Sequence, residues 1–110
     1  MAGKADKQKR NAIRIPASLV VKFLHHGSIC YGLITDLSEN GMRINSGVCL
    51  PSNSSLKLLL PLKEEVLELP VKVRRLVETD AFYDIMGVEV LKAPQKYIQI
   101  VDSFKSAYGI

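Results

Sequence analysis

The sequence predicts a mainly β fold of about six antiparallel strands with one C-terminal helix, and three observations predict it. From Leu19 to Leu91, short apolar or alternating segments follow one another through turn-forming residues, with no helical spacing between them. After Pro94 the apolar spacing changes from two to three and four. At 110 residues, 47% hydrophobic and 24% charged, the chain suits one domain around one core and argues against a disordered or fibrous protein. Strands joined by short turns in so small a domain form a small barrel or a strongly twisted sheet, with the terminal helix covering an open end.

Each element has its own local reason. Residues 1–9 lack apolar periodicity and read as a flexible arm, and Pro16 fixes an extended backbone that no helix passes through. Leu19, Val21 and Phe23 alternate with Val20, Lys22 and Leu24 as a first strand, and His26-Gly27-Ser28 is a turn signal. Ile29 to Thr35 returns as a second strand, with Gly32 marking a bulge or a close-packing point. Asp36 to Gly41 is a second turn, rich in residues that hydrogen-bond their own backbone or accept positive φ, and Met42 to Asn45 is a short third strand. After the PSNSS loop at residues 51–55, Leu56 to Leu60 is an apolar strand ended by Pro61. Leu67, Leu69, Val71 and Val73 then alternate with Glu68, Pro70, Lys72 and Arg74, and Pro70 favours an edge or a bulge. The ETDA turn leads to a sixth strand, Phe82 to Leu91. Tyr97, Val101, Phe104 and Tyr108 form one helical stripe, with Pro94 placed to start the helix and Gly109 to stop it.

The net charge of +4 is unevenly placed. Residues 1–14 hold Lys4, Lys7, Lys9, Arg10 and Arg14 against Asp6 alone, which equals the whole excess, and the remaining residues carry ten basic and ten acidic side chains. A basic arm on a neutral body points to an anionic partner or to a solubilising tail. No apolar run is long enough for a transmembrane helix and the polar start does not resemble a signal peptide, so the expectation is a cytoplasmic protein without membrane insertion. Cys30 and Cys49 are then expected as reduced thiols in or near the core.

Enzymatic chemistry finds little to work with. His25 and His26 are neighbours that a strand would point to opposite faces, and with Cys30 and Cys49 they lack the short paired spacing of zinc sites, so no metal is expected. Glu64-Glu65 reads as a solvated loop tip, and no Gly-rich phosphate loop, nucleophile elbow or Ser/His/Asp arrangement is present. The chain reads as non-catalytic.

Two clusters suit ligand binding. Arg10 and Arg14 are four apart, so they share a side in an extended or a helical segment, and guanidinium is shaped for bidentate contact with phosphate or the O6/N7 edge of guanine. In Asp36-Leu37-Ser38-Glu39-Asn40-Gly41, Asp36 can accept from guanine N1 and N2, Ser38 offers a hydroxyl, and Gly41 has no side chain to hold a ligand away from the backbone. The simpler alternatives are an exposed basic face and a self-stabilised turn in which Asp36 and Ser38 bond nearby amides and Gly41 supplies positive φ.

An R-x-x-x-R arm, two strands, then D-x-S-x-x-G at a hairpin resembles the PilZ domain family of bacterial cyclic di-GMP receptors. The resemblance runs from about Lys9 to Phe104 and takes in the late strand Met86-Gly87-Val88-Glu89-Val90 and the closing helix. It implies a stand-alone member made of a flexible basic arm over residues 1–8 and a six-stranded antiparallel β-barrel with C-terminal helix over residues 9–110. It implies cyclic di-GMP as ligand on the outer surface and no cofactor. Arg10 and Arg14 would clamp guanine and phosphate as the arm folds across, and Asp36, Ser38 and Gly41 would complete the guanine pocket. The change would be relayed to a downstream protein, in a process open among motility, adhesion or biofilm formation, exopolysaccharide export and virulence.

Three positions depart from the family pattern. Lys9 stands where another arginine is frequent and bears on whether one nucleotide or an intercalated pair binds. Asn40 replaces a frequent second glycine, although Asn tolerates positive φ. With no tryptophan in the chain, Arg74 of the run Lys72, Arg74, Arg75 would stack on the base in place of an aromatic ring. Two other readings stay open. One is a small barrel binding single-stranded nucleic acid through its arm, which the 6% aromatic content disfavours. The other is a PilZ-fold interaction module without nucleotide.

Overall fold

The computed structural model describes residues 13–110, so Lys9, Arg10 and the arm of residues 1–8 lie outside the described residues. Six strands form a closed antiparallel barrel: β1 (Ile15–His25), β2 (Ser28–Leu37), β3 (Gly41–Ser46), β4 (Ser55–Pro61), β5 (Val66–Val77) and β6 (Asp84–Val90). Around the barrel the order is β1, β2, β3, β6, β5, β4, with β4 pairing back to β1. This resolves the choice between barrel and open sheet. Closure removes unpaired edges, which a six-stranded open sheet would leave.

Alternation fills the interior. Val21 and Phe23 of β1, Ile34 of β2, Met42 and Ile44 of β3, Leu58 and Leu60 of β4, Leu69, Val71 and Val73 of β5, and Met86 of β6 are all buried in one core. Gly32 is a close-packing point, since a Cβ there would come within 2.6 Å of the Ile44 side chain. The expected position of Pro70 is refined. A closed barrel offers no open edge, and Pro70 instead pairs with Lys57 while its carbonyl accepts the Leu91 amide at 2.9 Å, where the β5–β6 ladder ends. Its missing N–H falls just where the β5–β6 pairing, which begins at Val71, has stopped.

Of three register shifts, one falls between Pro16 and Leu19 of β1, and the other two change the alternation in β2 and β5. Between Ile34 and Asp36 the β2–β3 register shifts by one, and between Val73 and Arg75 the β5–β6 register does the same. Unbroken alternation from Ile34 would turn Asp36 inward, and from Val73 it would turn Arg75 inward. The extra residue in each strand reverses this. Leu37 returns to the core, Leu76 packs against it, and Arg74 and Arg75 are both exposed.

Helix α1 (Gln95–Ala107) follows Pro94, its N-cap residue, and Gly109 beyond its end has φ +74. Tyr97 and Val101 are fully buried in the core and Phe104 is partly buried, so the helix covers the end of the barrel where the β2–β3 turn lies. Tyr108 departs from the expected stripe: it caps the helix C-terminus and is largely exposed. The sixth strand starts at Asp84 and not at Phe82, whose side chain is fully exposed.

Candidate functional site

An open groove of about 780 Å³ lies on the outer wall of β3, β6 and β5, bounded by the β2–β3 turn and by Arg14 just before β1. Of the residues expected at a site, Arg14, Ser38, Asn40, Gly41 and Arg74 line it. Asp36 stands at its rim, where its Oδ1 accepts a hydrogen bond from Arg14 Nη1 at 2.8 Å. Arg10 and Lys9 lie outside the described residues.

The D-x-S-x-x-G segment divides into parts with different tasks. Asp36 is not in the turn but in β2, paired with Arg43 at the bulge, so its carboxylate meets Arg14 and, at 4.0 Å, Arg43. Ser38 does the turn's work. Its amide donates to Gly41 O at 2.8 Å and its Oγ accepts the Asn40 amide at 3.3 Å. Neither Asn40 nor Gly41 has positive φ, so the expected conformational role of both is corrected. Gly41 is required for another reason: a Cβ there would stand 2.2 Å from the carbonyl oxygen of Val88, because β3 and β6 approach closely at this point.

The turn is also fixed from behind. Asn40 O accepts the Val90 amide at 2.9 Å. The buried Tyr97 hydroxyl donates to Ser38 O at 2.6 Å and lies 3.2 Å from Gly41 O. Burial raises the Tyr97 pKa strongly, with the Asp36 carboxylate adding to that and Arg14 opposing it, so the phenol stays neutral and keeps its proton to donate. On the solvent side Lys105 Nζ donates to Glu39 Oε2 at 3.1 Å.

Opposite the turn, β5 and β6 supply charge. Arg74 Nε donates to Glu89 Oε1 at 2.6 Å, a solvent-exposed pair in the groove wall. Arg75 and Arg43 also line the groove and were not singled out by sequence reasoning as site residues. Each had a visible signal. Arg43 sits at the outward position between the buried Met42 and Ile44. Arg75 sits in the three-residue interval between Val73 and Leu76, which a regular strand cannot place inside and which a bulge resolves. Gly87 faces Arg75 and leaves that side of the groove open.

Four arginines and one carboxylate, Glu89, line a groove with no aromatic side chain among its described residues. Such a surface suits a compact anion with hydrogen-bonding edges better than a run of stacked bases. Cys30 and Cys49 are free, half-buried thiols away from the groove, and burial raises the Cys49 pKa. His26 has left the strand with φ 52, so its ring meets that of His25 edge-on at 4.1 Å instead of facing away. Among the described residues no group of three or more His, Cys, Asp or Glu side chains could hold a metal ion, and no helix is long and apolar enough to cross a membrane.

The sequence matches the family model of the PilZ domain over residues 8–104. Three solved structures share the fold. The PilZ domain with c-di-GMP of YcgR from Escherichia coli is 14% identical, with TM-score 0.72, and the match covers 92% of this chain and 95% of that one. The Bacillus subtilis inhibitor of motility MotI/DgrA is 20% identical, with TM-score 0.71, over 91% of this chain and 51% of that one. The PilZ domain of CeSA from a cellulose-synthesizing bacterium is 20% identical, with TM-score 0.60, over 89% of this chain and 97% of that one. No curated protein matches by sequence.

Proposed function

We propose, from the premise that this chain belongs to the PilZ domain family, that it binds cyclic di-GMP in the arginine-lined groove and acts by binding, not by catalysis. The observation that carries this reading is the meeting of Arg14 and Asp36 at 2.8 Å beside the groove, with Ser38, Asn40 and Gly41 forming one of its walls. Arg14 and the D-x-S-x-x-G segment, far apart in sequence, thus meet beside one groove. Asp36 would accept from guanine N1 and N2, while Arg14, joined by Arg10 from the arm, would hold guanine O6/N7 and phosphate. Arg43 and Arg75 add positive charge for the second phosphate, and Lys9, Asn40 and Arg74 complete the contacts.

The Arg14–Asp36 pair is solvent-facing, with the arginine side chain about half exposed, so its own contribution is on the order of 0.2–1 kcal/mol. A ligand that gives each partner a better-matched contact displaces it cheaply. Ordering of the arm over the ligand would then alter the surface offered to a downstream protein in the cytoplasm. The apolar outer face of β1 and β2, outside the groove, supports that second half by leaving a surface free while the groove is filled.

Isothermal titration calorimetry tests the reading. Wild-type protein should take up cyclic di-GMP, and Arg14→Ala should weaken binding about tenfold or more, as loss of a charged hydrogen-bond partner does. No heat from the wild type, or equal affinity in the variant, would overturn it.

A further inference from the structure

The structure assigns Tyr97, a residue of the closing helix that does not itself line the groove, as the positioning residue of the ligand-binding turn. This rests on the cyclic di-GMP reading of the groove. The turn presents two sides. Its outward side carries Ser38 and Asn40 into the groove wall, and its inward side carries the carbonyls of Ser38 and Gly41 toward the barrel end. A hairpin turn of this kind has only one cross-turn bond of its own here, from Ser38 N to Gly41 O. Gly41 O accepts that bond, so the Ser38 carbonyl is the one that needs a partner water cannot supply, since Tyr97 is fully buried and fills the space behind it.

The phenolic proton goes to Ser38 O at 2.6 Å, and the hydroxyl lies 3.2 Å from Gly41 O as a second, longer contact. Because a peptide unit is planar, fixing the Ser38 carbonyl from behind fixes the plane of the Ser38–Glu39 peptide, and with it the direction in which the Glu39 amide points at the tip. The Glu39–Lys105 pair holds the same tip from the same helix two turns later, on the solvent side. Turn and helix thus form one unit, in which the buried bond sets the geometry and the exposed pair adds little.

Tyr97→Phe keeps the ring and removes only the hydroxyl. Val101→Ala, one turn further along and equally buried, loosens the same helix without touching the turn. In the ligand-free protein, amide exchange at Ser38, Asn40 and Gly41 should speed up about tenfold in Tyr97→Phe beyond any change at β1 amides, and only in step with global stability in Val101→Ala. Affinity for cyclic di-GMP should fall about tenfold in Tyr97→Phe and stay within twofold of wild type in Val101→Ala and Lys105→Met. Equal affinity in Tyr97→Phe, or an equal loss in Val101→Ala, would overturn the assignment. Failure of wild-type protein to bind cyclic di-GMP would instead sink the reading of the groove, and faster turn exchange in Tyr97→Phe would still sustain the tie between helix and turn.

Discussion

Two outer faces of this barrel are built from the same kind of strand and carry opposite chemistry. On β3, β6 and β5 the outer wall presents Arg43, Arg74, Arg75 and Glu89 around the groove. On β1 and β2, which continue around the barrel from β3, the register is unbroken from Leu19–Ile34 to His25–Ser28, and Val20, Leu24, Ile29, Tyr31 and Leu33 stand between 38% and 61% exposed. Lys22 is the one charged side chain between them, its Nζ 5.9 Å from the Tyr31 ring centroid. The difference lies in the bulges. Where alternation runs unbroken, apolar residues fall on both faces of the strand and half of them meet water. At Thr35 and Arg74 an extra residue turns adjacent polar side chains outward together, which concentrates charge at one place.

The strongest way to break the groove side is at Gly41. Gly41→Ala forces a methyl group against the Val88 carbonyl and should cost about 3 kcal/mol, at the upper end of the usual overpacking range, read by urea unfolding. Gly27, in the β1–β2 turn, offers the contrast: it has open space but φ +78, so Gly27→Ala should cost only about 1 kcal/mol, through backbone strain, and leave ligand affinity unchanged. Asp36→Ala should weaken cyclic di-GMP binding about thirtyfold, corresponding to about 2 kcal/mol for hydrogen bonds to a charged acceptor, while the fold persists because the carboxylate is on the outer wall. Arg75→Ala should weaken it about fivefold and flatten the salt dependence of affinity, since its contribution is mainly charge. Leu24→Ser on the apolar face should change neither affinity nor stability by more than about 0.5 kcal/mol.

Much of this was legible beforehand because period-two patterning is strong where a barrel strand has one wet face. Val21 and Phe23, Leu69 to Val73, and the Tyr97–Val101 pair were all readable as core. The bulges were not read, although Ile34–Leu37 and Val73–Leu76, with apolar residues three apart, carried their signature. Missing them left Asp36 in a turn and Arg75 without a role. Pro70 drew the attention that belonged to Arg74. For Gly41 the sequence suggests room for a ligand or a positive φ, when a non-local approach to Val88 is what demands it, and no local pattern announces a contact 47 residues away. The Tyr97 hydroxyl was hidden for the same reason, since helical spacing identifies the buried face but not what its polar tip touches.

The claim that a guanine nucleotide binds the bulged, charged face can be tested by following backbone amide shifts as cyclic di-GMP is added to ¹⁵N-labelled protein. Joint, saturable shifts are expected at Arg14, Asp36 to Gly41, Arg43 and Arg75, with Val20, Leu24, Ile29 and Leu33 unmoved. Shifts confined to the β1–β2 face, or none at Asp36 to Gly41 at saturating nucleotide, would contradict it.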